Sequence, residues 1–287
     1  MFNVKQFYER DLLFYELVDA KAETSFTVVP ERGGIITTFT KKGSEILYLN
    51  KETLFDLEAN VRGGIPILFP ISGQLSNGEY ELNGQTFRMK NHGVARNNPW
   101  EVVRVETTDS ASITLSLKST AETKQAFPFD FELIFTYKLV GSSLTISQEY
   151  RNNSELEMPI YAGFHPYFNT QHKDLVYRVN ATEYIDYNDM AVKSVANGLD
   201  LTNKKESLII LDSQEPNISF EIPELQGEIT LSYGAEFKYV VLWTEAGKDF
   251  VCVEPWMARN NAYNEAKDEL VIVKPKSSLH TSFTISC

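Results

Sequence analysis

Two histidines and one glutamate in this chain could together transfer protons near neutral pH. They occur in the segments Asn91-His92-Gly93-Val94-Ala95-Arg96, Phe164-His165-Pro166-Tyr167-Phe168 and Val253-Glu254-Pro255-Trp256. Each of the three groups stands among apolar, glycine and proline residues. Imidazoles and carboxylates serve as general acids and bases because their surroundings can shift their pKa values towards neutrality. This chemistry requires a fold that brings the three segments together.

Glu254 follows a short apolar run that we predict to be a strand. Side chains alternate between the two faces of a strand, so Phe250, Cys252 and Glu254 share one face. Pro255 is expected to end the pairing of this strand. Partial burial would raise the pKa of Glu254 above its usual value of about 4.3 and suit it to accept a proton from a hydroxyl group. Taken alone, this segment is explained more simply by a glutamate paired with a nearby arginine or lysine.

The two histidines have structural explanations as well as functional ones. His165 follows a largely uncharged run and precedes Pro166, so we expect it to be partly buried. A core histidine hydrogen-bonded to the backbone would explain that segment by itself. His92 precedes Gly93, and the cationic residues around it are Arg88, Lys90 and Arg96. This segment could bind sugar hydroxyls or an anionic group such as phosphate, or it could be a solvated basic loop.

The composition argues against several classes of partner. The net charge of −12 opposes nonspecific binding to nucleic acid and to anionic membranes. No stretch approaches the ~18 apolar residues of a membrane span, and the first residues lack the apolar core of a signal peptide. The 2 cysteines do not make a disulfide framework. We therefore expect a cytoplasmic protein that binds neither nucleic acid nor membrane, and the sequence does not indicate its oligomeric state.

The sequence lacks the common motifs for metals and cofactors. It contains no His-x-His, HExxH or CxxC pattern for a metal and no Walker or GxGxxG loop for a nucleotide. The GxSxG pattern of serine hydrolases is also missing. The sequence therefore predicts a reaction that uses neither a metal nor a cofactor.

The dominant hydrophobic period is two, which indicates an all-β fold. The predicted strands include residues 112–118, 131–139, 144–150, 208–211, 239–243, 250–253 and 279–285. Short strands separated by Gly, Asn and Pro are typical of an antiparallel sandwich or barrel. Very little helix is expected, with one or two turns in residues 53–57 and 263–270. No linker or composition break interrupts the chain, so we expect residues 1–287 to form a single domain.

Taken together, the motifs resemble those of the aldose 1-epimerases, the galactose mutarotase-like family, and most closely its hexose-6-phosphate branch. The resemblance covers nearly the whole chain. The stretches that carry it are Pro30-Glu31-Arg32-Gly33-Gly34, residues 61–70, HGVAR at 92–96, FHPYF at 164–168 and EPW at 254–256. The family fold that this resemblance implies is a large antiparallel β-sandwich, the galactose mutarotase-like supersandwich.

The resemblance also implies roles for individual residues. Glu254 corresponds to the general base and His165 to the general acid of an enzyme that interconverts α and β anomers of a hexose or hexose 6-phosphate through ring opening. The residues that correspond to substrate-binding positions are His92, Arg62, Arg96, Asp186 and Asn91. The hexose-6-phosphate branch often has Gln at position 91 and Lys at position 187, where this chain has Asn and Tyr. Whether the sugar is phosphorylated therefore stays open.

Two other functions remain possible on this fold. The chain could be a noncatalytic carbohydrate-binding or regulatory module, because a fold does not determine a function. It could also be a glycoside hydrolase, which needs two carboxylates about 5–9.5 Å apart, with Asp186 as the partner of Glu254.

Overall fold

The computed structural model describes residues 1–225 and 227–287, which form many short strands and a few helical turns. The strands are β1 Phe2–Glu9, β2 Leu12–Asp19, β3 Thr24–Val29, β4 Ile35–Lys41, β5 Ser44–Glu45, β6 Ile67–Leu68, β7 Glu79–Leu82, β8 Gln85–Arg88, β9 Glu101–Glu106, β10 Ala111–Lys118, β11 Phe131–Val140, β12 Ser143–Asn152, β13 Met158–Ile160, β14 Gly163–Phe164, β15 Tyr167–Asn169, β16 Tyr177–Arg178, β17 Glu183–Asp186, β18 Ala191–Ser194, β19 Leu208–Ile210, β20 Asn217–Ile222, β21 Gly227–Tyr233, β22 Tyr239–Trp243, β23 Phe250–Trp256, β24 Val271–Val273 and β25 Ser277–Ser286. The α-helices are α1 Lys51–Phe55, α2 Thr123–Ala126 and α3 Ala262–Glu265. The 3₁₀ turns are Pro30–Arg32, Ser76–Gly78, Ala95–Asn97, Val195–Asn197, Pro223–Leu225 and Lys267–Glu269.

None of the helices in residues 1–225 and 227–287 has the length and apolar character needed to cross a lipid bilayer.

Three antiparallel sheets contain most of the strands. The first has the order β1-β2-β3-β4-β5, and the second has the order β16-β20-β21-β25-β12-β11-β10-β9. The third has the order β18-β17-β19-β22-β23-β14-β6, and β15 pairs with β23 beside β14. Two small sheets, β7 with β8 and β13 with β24, complete the fold.

Aromatic side chains fill the space between the second and third sheets. The ring of Phe164 on β14 lies 4.9 Å from that of Phe283 on β25 and 6.2 Å from that of Phe135 on β11, measured between centroids. Tyr137 on β11 donates its buried hydroxyl to the carbonyl of Gly34, just before β4, at 2.8 Å. A continuous cluster of buried apolar side chains joins all three sheets, so one face of the third sheet is fixed against the core.

The architecture confirms the predicted all-β antiparallel sandwich with very little helix. The predicted strands 131–139 and 144–150 are β11 and β12, which pair around Gly141, and the helical turns near residues 53 and 263 are α1 and α3. One local prediction was wrong: Pro255 does not end the pairing of its strand. It lies opposite Val240, and β23 continues to Trp256. A proline lacks only the N–H donor, so the ladder loses a single bond at that position.

Gly93 shows why the segment that carries His92 needs a glycine. Its φ of +76° lies in the left-handed region, and a Cβ at this position would lie 2.2 Å from the carbonyl oxygen of Phe69. The two residues form an isolated parallel bridge, and Val94 donates its N–H to the same carbonyl at 2.7 Å. The close contact fixes the His92 segment against the chain that follows β6.

We predict that Gly93→Ala destabilises the fold much more than the matched change Gly43→Ala. Gly43 has a similar φ of +79° but nothing within 4 Å of its Cβ position. Gly43→Ala should therefore cost only the left-handed conformation, about 1–2 kcal/mol. The clash at Gly93 should add at least about 2 kcal/mol in urea unfolding, as overpacking commonly does. Equal losses in the two variants would contradict this account.

Candidate active site

The strand register places His165 directly opposite Glu254. On one side of His165, Gly163 pairs with Trp256; on the other, Tyr167 pairs with Cys252. Opposite residues of antiparallel strands project from the same face of the sheet, so the imidazole and the carboxylate meet. The distance from His165 Nδ1 to Glu254 Oε1 is 3.5 Å. The non-local pairing of β14 and β15 with β23 thus creates the pair.

Both groups of this pair are buried in apolar surroundings. Glu254 is 1% exposed and His165 is 6% exposed, more than the partial burial that we expected. Two apolar clusters flank Glu254 along its strand. The first consists of Leu68, Ile209, Val241 and Trp256, and the second of Tyr167, Phe250 and Cys252. The carboxyl and the imidazole therefore have little access to water.

Burial shifts the two pKa values in opposite directions. Loss of solvation raises the pKa of Glu254 well above its ordinary value, and the hydrogen bond from Trp256 only partly offsets this. Loss of solvation also lowers the pKa of His165 well below its ordinary value, and the nearby His92 and the charge of Arg96 add to the effect. Burial thus favours the neutral form of each group, in which the proton that the two groups can exchange lies on Glu254 and the imidazole keeps one N–H.

Neighbouring aromatic residues orient the pair. Trp256 Nε1 donates to Glu254 Oε2 at 3.1 Å, which leaves Oε1 facing the imidazole. The ring of Tyr167 stacks on that of His165 at 4.6 Å with an interplanar angle of 7°. His165 Nδ1 is buried and has no hydrogen-bond partner among the described residues. The two facing atoms are therefore left available to a bound molecule.

His92 lies beside the pair and is held by the backbone. Its Nδ1 contacts the carbonyl oxygen of Ser72 at 2.5 Å, so Nδ1 carries the proton that is donated in this bond. Its ring centroid is 5.5 Å from that of His165. Burial, helped by the charge of Arg96, lowers the pKa of His92 to about 3. The neutral ring leaves its Nε2 lone pair free to accept a hydrogen bond from a hydroxyl.

Two arginines add positive charge next to the histidines. The guanidinium of Arg62 lies over the ring of Trp243, 5.4 Å from its centroid. Arg96 Nη2 donates to the carbonyl oxygen of Asn91 at 3.0 Å, while its Nε is buried without a partner among the described residues. Burial is the main reason that the pKa of Arg96 falls to about 10, so it stays charged at neutral pH. An unpaired buried N–H of this kind can bind an oxygen of a ligand.

Arg32 supports this region and was given no role in the sequence analysis. It is 4% exposed, and its guanidinium donates to four backbone carbonyls of the chain that precedes Arg62. The acceptors are Leu54 at 2.9 Å, Thr53 at 3.2 Å, Asp56 at 2.7 Å and Ala59 at 2.6 Å. Thr53 Oγ1 in turn accepts from the N–H of Arg62 at 2.9 Å. The position of Arg32 in a Gly-rich turn was the available signal in the sequence, but the burial of its side chain among backbone carbonyls depends on the fold.

The structure does not bring Asp186 to the acid–base pair. Across the neighbouring strands, Asp186 lies opposite Leu208, Leu208 lies opposite Leu242, and Leu242 lies opposite Val253. These residues belong to the core-facing side of the sheet. Glu254 lies one position along β23 and projects from the other side. The carboxylate of Asp186 is fully buried and already accepts four hydrogen bonds. They come from Lys193 Nζ at 2.6 Å, Lys204 Nζ at 2.5 Å, Asn188 N at 3.0 Å and Asn188 Nδ2 at 2.8 Å.

The remaining predicted residues lie at the edge of the region. The side chain of Asn91 is exposed, and its contact with Arg96 is made by the backbone. Arg88 is paired with Glu79 on the neighbouring strand at 2.7 Å. Lys90 lines a groove of about 1000 Å³ whose walls include neither His165 nor Glu254. The cationic segment seen in the sequence is therefore divided, and only Arg96 of its three cations approaches the pair.

Cys252 is a further neighbour of the pair. Its sulfur, a nitrogen of His165 and a carboxylate oxygen of Glu254 all lie within 4.8 Å of one another. Such a set could ligate a metal, although the sequence analysis expected none. The alternation of Phe250, Cys252 and Glu254 showed in advance that the sulfur shares the face of the carboxylate. It could not show that His165 would lie opposite.

Comparisons with known proteins identify the family to which this arrangement of strands belongs. A family model described as aldose 1-epimerase matches residues 16–286. A protein of Escherichia coli K12 with the provisional name glucose-6-phosphate 1-epimerase is 29% identical over 163 residues, which are 56% of this chain and 49% of that protein. The matched part thus spans about half the length of that relative.

Solved structures extend the similarity to the whole chain. The Slr1438 protein of Synechocystis sp. PCC 6803 superposes with a TM-score of 0.93 and 37% identity over 100% of this chain and 99% of that one. A galactose mutarotase related enzyme of Lactobacillus acidophilus has a TM-score of 0.77 at 22% identity, over 99% of this chain and 97% of that one. The second likeness concerns the fold alone.

The opposite pKa shifts of the pair predict opposite effects of pH on stability. Above pH 4.5 the unfolded chain releases the Glu254 proton while the folded protein keeps it, so stability falls as pH rises. Below pH 6.5 the unfolded chain protonates His165 while the folded protein does not, so stability falls as pH decreases. Glu254→Gln should therefore stabilise the fold more at about pH 8 than at about pH 5, and His165→Gln should show the reverse, with differences of ~1–2 kcal/mol.

Urea unfolding of wild type and variants across this range measures both effects. Glu81→Gln and His280→Gln serve as controls, because they make the same kinds of change at exposed side chains. If the two site variants changed stability by the same amount at every pH, the opposite shifts would be disproved.

Proposed function

The chain belongs to the aldose 1-epimerase family, and we propose that it interconverts the α and β anomers of a hexose or hexose 6-phosphate with Glu254 and His165 as its acid–base pair. Membership of that family supports an isomerase that acts on sugars. The observation that carries the proposed mechanism is the buried contact of 3.5 Å between the two side chains. Anomers interconvert through ring opening, which needs one proton removed and one delivered at two oxygens of the same carbon.

The reacting form has Glu254 ionised and His165 protonated, so the proton that burial holds on Glu254 must first pass to His165. Glu254 takes the proton of the C1 hydroxyl, and the electron pair of that O–H bond forms the C1 carbonyl. The C1–O5 bond breaks, and its electron pair accepts the proton of His165. Rotation about the C1–C2 bond presents the other carbonyl face, and closure runs through the same steps in reverse. A positioned acid or base typically contributes about 10²–10⁴-fold to the rate.

Burial of the pair favours the ring-opened state in this scheme. Once the ring is open, Glu254 carries the proton from the C1 hydroxyl and His165 has given its own away. Both groups are then neutral, which is the form that the dry surroundings stabilise. The site thus offsets part of the cost of opening the ring, because it binds this state better than the cyclic one.

His92 and Arg96 are proposed to hold the sugar against the pair, and Arg62 is proposed to bind its phosphate. His92 Nε2 accepts a hydrogen bond from a sugar hydroxyl, since Nδ1 is committed to Ser72. The unpartnered Nε of Arg96 donates to a sugar or phosphate oxygen. Asp186 has no part in this proposal, because its carboxylate faces the core and is fully hydrogen-bonded.

Two observations favour a phosphorylated sugar. The charges of Arg62 and Arg96 are available near the pair, whereas Arg88 is already paired with Glu79. The relative from E. coli also carries the provisional name of an enzyme for glucose 6-phosphate. Arginine suits phosphate because its planar fork can donate two hydrogen bonds at once.

We further propose that the protein acts in the cytoplasm as one domain over residues 1–287.

A glycoside hydrolase is a weaker proposal for this site. Hydrolysis needs a second carboxylate about 5–9.5 Å from the first. Asp186, the candidate from the sequence, projects from the opposite face of the sheet. The partner that faces Glu254 is an imidazole, which suits proton exchange at a hemiacetal.

We predict that Glu254→Gln and His165→Asn each slow mutarotation by at least about 10²-fold, because each removes one of the two proton-transfer groups. Polarimetry with α-glucose, α-galactose and glucose 6-phosphate measures the rates. Glu81→Gln and His280→Asn are the matched exposed controls and should keep the wild-type rate. Near-wild-type rates in either site variant would refute the assigned roles. A wild-type protein that binds these sugars without turnover would favour the noncatalytic module.

We also predict that Arg62→Met distinguishes phosphorylated from free sugar. Methionine keeps an apolar contact with Trp243 but removes the charge. The ratio kcat/KM for glucose 6-phosphate should fall about 10–100-fold, as expected for one charged hydrogen bond, while that for glucose changes little. Arg88→Met, at an exposed arginine paired with Glu79, is the control and should affect neither. Equal losses on both sugars would contradict phosphate binding by Arg62.

A further inference from the structure

Cys252 has no function in the proposed proton transfer, yet it is placed beside both proton-transfer groups. It precedes Glu254 by two residues on β23 and lies opposite Tyr167, so its thiol projects from the site-bearing face. It is fully buried and is not bonded to the other cysteine, Cys287. The sulfur, a His165 nitrogen and a Glu254 oxygen lie within 4.8 Å of one another. We propose that these three side chains bind a thiophilic divalent cation such as Zn²⁺, and that the bound cation reversibly blocks sugar turnover.

The ligand types match such a cation. Zn²⁺ is bound by thiolate, imidazole and carboxylate at about 2.0–2.3 Å, and three protein ligands leave a fourth position open. Two ligand atoms of one tetrahedral ion therefore lie roughly 3.3–3.7 Å apart. His165 Nδ1 and Glu254 Oε1, at 3.5 Å, already meet this requirement. The sulfur needs a shift of about 1 Å at most to join them.

Three further features prepare the ligands. His165 Nδ1 is buried, faces Glu254 and has no hydrogen-bond partner among residues 1–225 and 227–287, so no existing bond must be broken. Trp256 Nε1 holds the second oxygen of Glu254 at 3.1 Å, the kind of outer contact that orients a ligating carboxylate. A stack with Tyr167 fixes the plane of the imidazole.

The charge of the complex is also compatible with burial. Binding displaces the protons of the Cys252 thiol and the Glu254 carboxyl, which pass to solvent. The resulting thiolate and carboxylate balance the two positive charges of the ion, so no net charge is added to the apolar face. Arg62 and Arg96 oppose the ion from nearby, and the three ligands must outweigh this repulsion. An occupied site cannot act on sugar, because the metal holds the atoms of His165 and Glu254 that would exchange protons.

A titration with Cd²⁺, a thiophilic analogue of Zn²⁺, tests the site without any sugar. Wild type and Cys287→Ser should develop the near-ultraviolet absorption of a cadmium thiolate with one ion per chain, and Cys252→Ser should not. Calorimetry with Zn²⁺ should show at least about 100-fold weaker binding to Cys252→Ser, because loss of a ligand exceeds the 10–100-fold typical of an outer-shell partner. Absorption that persists in Cys252→Ser, or is missing in wild type, would overturn the site. Cys252→Ala serves as a second variant if the serine disturbs folding.

The inhibition rests on the proposed function and is tested separately. Zn²⁺ should slow mutarotation by wild type, and a chelator should restore it. Cys252→Ser should turn over at the uninhibited rate and resist Zn²⁺ by the same factor by which its binding weakens. Binding through Cys252 in a protein without mutarotase activity would refute the proposed function and leave the metal site standing. Binding with undiminished turnover would overturn the block.

Discussion

The rest of this structure depends on one carboxyl group that is held out of water beside one imidazole. An ionised carboxylate with so little exposure would lose most of its solvation, so burial favours the protonated form of Glu254 and the neutral form of His165. These are the forms that the pair takes when it holds an open-chain sugar. The same burial that weakens the fold would thus promote the reaction, a common trade between stability and activity.

The fold maintains this arrangement through its third sheet. β23 is central to that sheet: β22 pairs with one side, β14 and β15 pair with the other, and apolar clusters cover the carboxyl from both ends of the strand. The loops at the edge supply the groups that are proposed to contact the sugar. Gly93 fixes the His92 segment, and Arg32 holds the chain that leads to Arg62.

Much of the fold could be predicted because its evidence is local. Period-two alternation identified β10, the β11–β12 hairpin and β25, and it placed Cys252 on the face of Glu254. The contact between His165 and Glu254 followed from a family resemblance and not from the residues alone, because strand register is a non-local property. The sequence also could not show that Asp186 projects from the face opposite to that of Glu254. Alternation separates the two faces of a strand but does not show which face meets the core. Burial of Arg32 among carbonyls leaves no pattern in the sequence.

The most direct test of this account is the protonation state of Glu254 itself. The infrared difference spectrum between wild type and Glu254→Gln at neutral pH isolates the stretching band of this one carboxyl group. We expect the difference spectrum to contain the band of a protonated carboxylic acid, which is present in the wild type and missing from the variant. Its frequency should be high, as is typical of a carboxyl group with few hydrogen bonds. A difference spectrum with only the bands of an ionised carboxylate would contradict the claim that burial keeps the pair neutral with its exchangeable proton on Glu254.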